Sequence, residues 1–160
     1  MNNESNIATP AFTYDVVCIG ADGKEKWREV IKNTVTTVGK NDILDEYFKG
    51  SSYTATWFLG LKAAGSISAS DTLASHAGWA ESTPYSGNRP AITFGTTASG
   101  SNTASAVSIS CNASATVAGA FIASVNTGTS GILYSAADFG ASRTVADGDT
   151  LNVTPTVSVS

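Results

Sequence analysis

Few residues in this chain could carry catalysis. His76 is the only histidine among the 160 residues, so any mechanism that needs an imidazole would depend on it. Asp71 precedes it by five positions and serines are abundant, but no G-x-S-x-G motif is present. Because the chain has 21 serines, a serine near a histidine is expected by chance. The sequence therefore predicts a structural or interface role for His76 and no enzymatic activity.

The carboxylates form no pattern typical of acid–base catalysis or metal binding. Asp42, Asp45 and Glu46 fall in one predicted helix, where dipole complementarity and solubility explain them. Asp147 and Asp149 flank a glycine, but the full spacing of an EF-hand loop is absent. We expect this segment to form a tight turn before the last strand, and the sequence predicts neither a metal site nor a cofactor.

The two cysteines, Cys18 and Cys111, lie 93 positions apart. A disulfide between them would close a long loop, but it needs an oxidising compartment and Cα atoms within about 7 Å. The first residues lack the basic and apolar regions of a signal peptide, which favours two free, buried thiols. Neither cysteine lies in a C-x-x-C motif and no phosphate-binding glycine motif is present, so zinc and nucleotides are not expected.

Composition argues against several classes of partner. The formal net charge is −4, only 14% of residues are charged and no lysine or arginine cluster exists, which argues against nucleic-acid binding. The sequence has no run of about 18 apolar residues, so no membrane span is predicted. Serine and threonine fill 41 positions, whereas 15 of the 22 charged residues lie in the first 69. The C-terminal half is thus neutral and rich in hydroxyl groups.

Aromatic side chains offer a candidate binding surface. Trp57 lies in a short apolar run and is expected in the core. Trp79 and Tyr85 lie in a long connection, where Trp79 could equally be a core residue or an exposed anchor. A carbohydrate platform is one use for such residues, although aromatic residues in strands more often belong to a core.

The N-terminal pattern predicts an arm and then a β-hairpin. Residues 1–11 are polar and lack periodicity, which is typical of an extended or flexible arm, and residues 12–160 form a single β-rich domain. Between residues 12 and 19 every even position is aromatic, aliphatic or cysteine, as in a strand with one buried face. Residues 21–24 carry turn chemistry, and residues 25–38 form a second run in which neither face is cleanly apolar. We expect a hairpin that is partly solvated on both faces or covered by another subunit.

One short helix is predicted over residues 41–49. Asn41 is a suitable N-cap, and Gly50 suits a left-handed stop. Four apolar residues form a stripe along one side, and a helix of two turns needs packing to persist. We expect the stripe to pack on a sheet; its members are Ile43, Leu44, Tyr47 and Phe48.

The rest of the chain predicts a mainly β fold, an antiparallel β-sandwich or jelly-roll-like domain. Residues 54–61 form a short apolar run that indicates a central strand. Residues 62–90 form a long connection, in which a short helical turn is expected at Asp71. Further strands follow at the regular spacing typical of such folds. They cover residues 91–96, 104–113, 115–125, 131–139 and 149–160.

Several segments carry a more specific signal, above all D-T-L-A-S-H-A-G-W-A-E at residues 71–81. The others are W-F-L-G-L (57–61), Tyr85, Arg89, A-T-V-A-G-A-F-I (115–122), G-I-L-Y (131–134), Ala137-Asp138-Phe139 and G-D-T-L-N-V-T (148–154). Together they resemble a group of small structural proteins from tailed bacteriophages, over roughly residues 35–155. The resemblance implies a virion protein without enzymatic activity, assembled in the host cytoplasm.

The resemblance leaves two alternatives for the location of the protein in the virion. The favoured one is a head-decoration or cement protein, expected as a trimer on the capsid surface in contact with the major capsid protein. The other is a tail or fibre component that binds a host glycan or receptor through Trp79 and Tyr85. A hydrolase that uses His76 has little support.

The resemblance carries no catalytic residue, but it points to a set that organises the long connection. We expect Arg89 to bond Glu81 or Asp71 in a charge-assisted network, and to hold Trp79 against the sheet. His76 and Tyr85 belong to the same set.

Overall fold

The computed structural model describes residues 9–50 and 56–159, which form two packed antiparallel β-sheets and one helix. The predicted mainly β sandwich is therefore confirmed. In chain order the elements are β1 (Pro10–Ile19), β2 (Glu25–Lys32), β3 (Thr34–Val35), α1 (Thr37–Phe48), β4 (Trp57–Gly65), β5 (Trp79–Ser82), β6 (Ala91–Ile92), β7 (Ser101–Thr103), β8 (Val107–Ser110), β9 (Ala115–Ala123), β10 (Leu133–Val145) and β11 (Thr150–Val159).

Each sheet has a central path and two short strands that share one neighbour. The first sheet runs β2, β1, β11, and both β7 and β8 pair with β11. The second sheet runs β3, β10, β9, β4, and both β5 and β6 pair with β4. The pair of β1 and β11 extends from Pro10 opposite Val159 to Ile19 opposite Thr150. The two ends of the described chain are therefore neighbours in one sheet.

The main core lies between the sheets and contains the inward face of β1. Its even-numbered residues are buried, as the alternation predicts; they are Phe12, Tyr14, Val16 and Cys18. The Tyr14 hydroxyl lies 2.7 Å from the Ser135 hydroxyl on β10, so one hydrogen bond links the two sheets inside the core. Burial raises the pKa of Tyr14, and the phenol remains neutral.

The β1–β2 hairpin forms, but its second strand is shorter than predicted. The turn places Gly23 at φ +78°, where a residue without a Cβ is favoured. β2 ends at Lys32 and the chain then crosses to the second sheet as β3, so the predicted run to residue 38 is wrong. The expectation of two partly solvated faces is wrong for β1, whose inward face is buried; on β2 Trp27 and Glu29 are only partly buried on that face, Ile31 is buried, and Val30 points outward.

The helix begins four residues earlier than predicted. Thr36 is the N-cap, because its hydroxyl accepts a hydrogen bond of 3.1 Å from the Gly39 amide; the predicted cap at Asn41 is wrong. Gly39 packs against the Tyr134 backbone, where an added Cβ would lie 3.0 Å from the Tyr134 Cα. The helix therefore docks through its first turn. Gly50 has φ +67°, which confirms the predicted left-handed stop.

The predicted packing of the apolar stripe is wrong. Ile43 contacts the core, whereas Leu44, Tyr47 and Phe48 are 53%, 81% and 74% exposed. Docking through Gly39 turns this side of the helix away from the sheets. The stripe is thus a solvent-facing apolar surface in the described chain.

Other boundaries differ in detail. Of the predicted arm, residues 1–8 lie outside the described residues, and Pro10 and Ala11 already belong to β1. Residues 54 and 55 of the predicted central strand also lie outside them, but β4 has its predicted central place between β9 and β5. The predicted strand 91–96 is reduced to β6, and the predicted strand 104–113 is represented by β8. β10 extends six residues beyond its predicted end.

The two cysteines are buried free thiols, as expected. Cys18 lies on β1, and the amide of Cys111 bonds to the Asp149 carbonyl at 2.8 Å, on the other side of β11. Burial and the nearby Asp149 carboxylate raise the pKa of Cys18 to about 11, so the thiol stays protonated.

The turn before the last strand forms as predicted. Gly148 has φ +83°, and Asp149 accepts hydrogen bonds from the Ala146 amide at 2.8 Å and the Lys26 ammonium at 2.5 Å. The Asp149 side chain is buried, and the hydrogen bond from Lys26 lowers its pKa. This ion pair anchors the start of β11 to β2.

Candidate functional site

The long connection between β4 and β6 packs on the outer face of the second sheet. This face points away from the main core and has a small core of its own, built on Leu73, Trp79, Phe121, Leu133 and small alanines. We call the charged and aromatic residues that meet here the outer cluster. Its members are Lys62, Asp71, His76, Trp79, Glu81, Arg89, Phe121 and Asp138.

Strand register places three of these residues in one row with Gly119. Lys62 on β4 is opposite Glu81 on β5 and opposite Gly119 on β9, and Gly119 is opposite Asp138 on β10. Residues directly opposite each other point to the same face of a sheet. The row therefore runs across four strands with two carboxylates at its ends, a lysine, and a glycine without a side chain.

Gly119 lets the Lys62 side chain cross β9. A Cβ at Gly119 would lie 2.9 Å from the Lys62 Cγ and would also collide with the Ala137 carbonyl. Lys62 is 0% exposed, and its Nζ donates to the Gly65 carbonyl at 2.9 Å and to the Asp138 carboxylate. Both bonds compensate for removing the ammonium group from water.

Trp79 is buried, so of the two alternatives left open by the sequence the core position is the observed one. Its ring contacts Phe121, with centroids 5.3 Å apart, and stacks on His76 at 4.1 Å. Its Nε1 donates to the Asp71 carboxylate at 2.9 Å, and the Lys62 Nζ lies 5.7 Å from the ring centroid. Little of the indole remains for an external ligand.

Asp71 organises the start of the connection without beginning a helix. Its carboxylate accepts from the Ser68 amide at 3.0 Å as well as from Trp79, and a reverse turn follows from Thr72 to Ser75. The predicted helical turn at Asp71 is wrong, because the carboxylate spans back to Ser68 and across to Trp79. Leu73, inside the turn, is buried against the sheet.

His76 covers the outer side of Trp79. Its Nδ1 lies 3.0 Å from the Trp79 carbonyl oxygen, which can only accept, so Nδ1 carries the proton of this hydrogen bond. The ring is therefore held by a stack and a hydrogen bond to the same residue. The imidazole therefore covers the Trp79 ring, and Nε2 is the nitrogen that takes no part in this hydrogen bond.

Arg89 fixes the end of the connection. It forms a two-point ion pair with Glu81, from Nε to Oε1 at 2.8 Å and from Nη2 to Oε2 at 2.7 Å. The same guanidinium donates to the carbonyls of Val125 at 3.0 Å and Gly128 at 3.1 Å, and lies 5.3 Å from the Phe121 ring centroid. A buried cation with this many partners ties β5 to the segment that joins β9 and β10.

Of the two alternatives for Arg89, the structure forms the Glu81 pair, and Asp71 bonds Trp79 instead. Arg89 is connected to the Trp79 side of the outer cluster through Phe121, whose ring contacts both residues. Tyr85 is not brought into that cluster: it is half-buried and packs against the main core. Burial, with a contribution from the nearby Glu81 carboxylate, raises the pKa of Tyr85 to about 12.

Three members of the outer cluster were not predicted from the sequence. The sequence pattern puts Lys62 at the start of an irregular connection and Phe121 and Asp138 in ordinary strands. A signal for Lys62 exists, because it is a lone charge in the apolar run W-F-L-G-L-K-A-A-G. A lysine at such a position needs an internal partner, which is Asp138.

A second region of interest is an open groove beside the helix. It has a volume of about 900 Å³ and lies where α1, β4 and the ends of β1 and β11 meet. Trp57 borders it and packs on Tyr134 at 4.9 Å, so this tryptophan is at the edge of the core. The apolar lining also includes Phe12, Ile43, Ile92, Phe94 and Val157.

Tyr47 and Val159 also line the groove, and Leu44 and Phe48 follow on the same side of α1. These four residues, with the groove, are called the groove end below. Among the described residues, four of the five exposed large apolar side chains lie here, and Val30 is the fifth. Glu46 borders the groove too. Its Oε2 is buried and has no hydrogen-bond partner among the described residues.

Within residues 9–50 and 56–159, no three His, Cys, Asp or Glu side chains are grouped closely enough to hold a metal ion. None of the described helices is long and apolar enough to cross a membrane. The chain matches no protein-family model and no curated protein.

Proposed function

We propose that this chain is a non-enzymatic structural protein of a bacteriophage virion, and that it decorates and stabilises the head. The observation that carries the proposal is the apolar groove end, because a soluble chain with its large apolar side chains concentrated at one place offers a protein-contact surface. The assignment to a virion rests on the resemblance of several segments to structural proteins of tailed bacteriophages.

The outer cluster supports a structural role because its polar groups are used within the chain. Arg89 has four hydrogen bonds, the Asp71 carboxylate has two, and His76 is bonded and stacked on Trp79. Catalytic groups need free reach toward a substrate. A cluster of this kind instead holds a long connection rigidly on a sheet.

The part of the first sheet's outer face that β7, β8 and β11 form suits repeated contacts between copies. Its hydroxyl and amide side chains pair across strands, with Ser108 donating to Asn152 at 2.5 Å and Thr103 lying 3.0 Å from Thr156. Neutral groups of this type repel no identical neighbour, unlike rows of like charge. We propose a homo-oligomer, with a trimer favoured, that contacts the major capsid protein on the capsid surface.

The proposed contact also has a definite chemistry. The groove end combines aromatic and aliphatic side chains with a Glu46 oxygen that has no partner among the described residues, and Asp42 and Asp45 lie on the same helix. Partial burial, with repulsion from Glu46 and Asp45, raises the pKa of Asp42. The matching surface on the partner is therefore apolar, with a lysine or arginine opposite Glu46.

A tail or fibre location with glycan or receptor binding is the second candidate. The supporting observation is a shallow hollow of about 390 Å³ bordered by His76, Trp79 and Glu81. Because Trp79 is sandwiched between His76 and Phe121, its ring faces are not free to stack on a sugar. If glycan binding exists and is lost in Trp79→Ala but retained in Trp27→Ala, this second candidate gains support.

Quantitative mass spectrometry of purified particles, from a phage whose genome encodes the sequence, tests the proposed function. We expect the chain in purified particles at a stoichiometry comparable to that of the major capsid protein. A stoichiometry that matches the tail proteins would favour the second candidate. Absence from particles, with the chain detected in the infected cell, would contradict both.

A further inference from the structure

The Lys62–Asp138 pair brings an amine and a carboxyl group together in an unusual place. The two residues are 76 positions apart, and β9 lies between their strands. Because Gly119 has no side chain, Lys62 crosses β9 and its Nζ contacts the Asp138 carboxylate. Register places both residues opposite Gly119: Lys62 ends the pairing of β4 with β9, and Asp138 is the last residue of β10 that pairs with β9 before an irregularity.

The two partners differ in their access to water. The Lys62 side chain is 0% exposed, lies under Trp79 and has the Gly65 carbonyl as its second acceptor. The Asp138 side chain is 46% exposed, so one side of the carboxyl group opens to solvent. The Lys62 amine is therefore shielded from water. A water molecule released at the Asp138 carboxyl group can leave to solvent.

We infer that Lys62 and Asp138 condense to an isopeptide bond that joins β4 to β10 covalently. A proton passes from the ammonium group to the carboxylate, and the neutral Nζ attacks the Asp138 Cγ. The Nζ–Cγ bond forms, a Cγ–O bond breaks, and one water molecule leaves with the two protons that the amine gives up. The reaction starts from the ion pair in the structure and needs no oxidant, metal or other reactant.

Fixed geometry favours this condensation because it removes the entropic cost of bringing the two groups together. Amide formation between separate molecules in water is opposed by the large excess of water. Effective molarities for well-oriented groups in one molecule reach about 10⁵–10⁸ M, which offsets that opposition. The strand register, the Gly119 gap and the Trp79 cover provide the required orientation. The inference does not depend on the virion assignment.

The intact mass of the purified, fully denatured chain tests the bond directly. After allowance for removal of Met1, we expect a mass lower than that of the sequence by one water molecule. Trypsin does not cleave after an acylated lysine, so cleavage after residue 62 should also be lost. A mass equal to that of the sequence, with normal cleavage after Lys62, would overturn the inference.

Matched variants exclude other sources of water loss, such as ring closure at the Asp22-Gly23 or Asp147-Gly148 pairs. Lys62→Arg keeps the charge but removes the amine, and Asp138→Ala removes the carboxyl group; both should have the full sequence mass. Asp138→Asn should lose ammonia and give a product with the same mass as the crosslinked natural chain. Water loss that persists in Lys62→Arg would refute the assignment, even if the natural chain shows the lower mass.

Discussion

The outer cluster and the groove end distribute polar and apolar groups in opposite ways. In the outer cluster, buried cations are paired with carboxylates, as in Lys62 with Asp138 and Arg89 with Glu81. At the groove end, large apolar side chains such as Tyr47 and Phe48 face solvent. The first region is complete within one chain, whereas the second has the composition of a surface that another protein covers.

This difference separates residues that hold the fold from residues that make contacts. Removing one partner of a buried ion pair is costly because the other charge then has no partner. Exposed apolar residues contribute little to the stability of the isolated chain. Substitutions in the two regions should therefore affect different measurements, and the predictions below follow from that expectation.

The largest effect is expected for Arg89→Ala. It leaves the Glu81 carboxylate and the carbonyls of Val125 and Gly128 without their donor, which should lower the free energy of unfolding by about 3–5 kcal/mol. Arg28→Ala removes an exposed arginine whose contact with Glu25 is 3.8 Å long, and should change stability by less than about 0.5 kcal/mol. Urea denaturation compares the two variants. Equal effects would mean that the outer cluster does not hold the connection.

A smaller loss is expected for Trp79→Phe, and Trp27→Phe is its control. Both substitutions shrink a packed ring, but the Trp79 Nε1 bonds Asp71, whereas the Trp27 Nε1 is buried without a partner among the described residues. Loss of the Asp71 hydrogen bond should make Trp79→Phe the more destabilising change, by about 1–3 kcal/mol. Thermal denaturation of both variants measures the difference. A larger loss for Trp27→Phe would argue against the role assigned to Asp71.

The Lys26–Asp149 ion pair should make part of the free energy of unfolding sensitive to acid. The pKa of Asp149 is lowered in the folded chain by the hydrogen bond from Lys26, so its stabilising contribution is present above the unfolded pKa of about 3.9. That contribution should be lost as pH falls below this value and through the folded pKa. Lys26→Gln should reduce the acid-dependent part of the loss. Identical pH profiles for the natural chain and Lys26→Gln would contradict the prediction.

The smallest effect on stability is expected at the groove end. Tyr47→Ser combined with Phe48→Ser removes two exposed rings that contact mainly each other, at 5.0 Å. The free energy of unfolding should change by less than about 0.5 kcal/mol per substitution. Calorimetry on the isolated chain measures this. A loss comparable to that of Arg89→Ala would mean that these rings hold the fold and do not serve as a contact surface.

The sequence predicts the architecture well where one strand face is buried. Alternation of β1 identifies the core face from Phe12 to Cys18, and the glycine between Asp147 and Asp149 predicts the final turn. The segment from Asp71 to Glu81 could be singled out because it is the most specific part of the resemblance and contains the single histidine and one of the three tryptophans. Both kinds of signal are local in the sequence.

The remaining features depend on distant partners. The packing predicted for the helix stripe fails because Gly39 approaches the Tyr134 backbone and fixes how α1 docks. The role of Lys62 could not be predicted, because it depends on the register of two strand pairs that bring Gly119 and Asp138 beside it. Periodicity describes one segment at a time, and it contains no information on such pairings.

Attachment to phage particles that lack this chain is the most direct measurement of the central claim, that the groove end contacts another virion protein. The natural chain, Tyr47→Ser/Phe48→Ser and the control Val30→Ser are each mixed with such particles and sedimented. Val30 is 65% exposed on β2, outside the groove end. We predict that the natural chain and Val30→Ser attach and that the double variant, still folded, does not. Full attachment of the double variant would contradict the account.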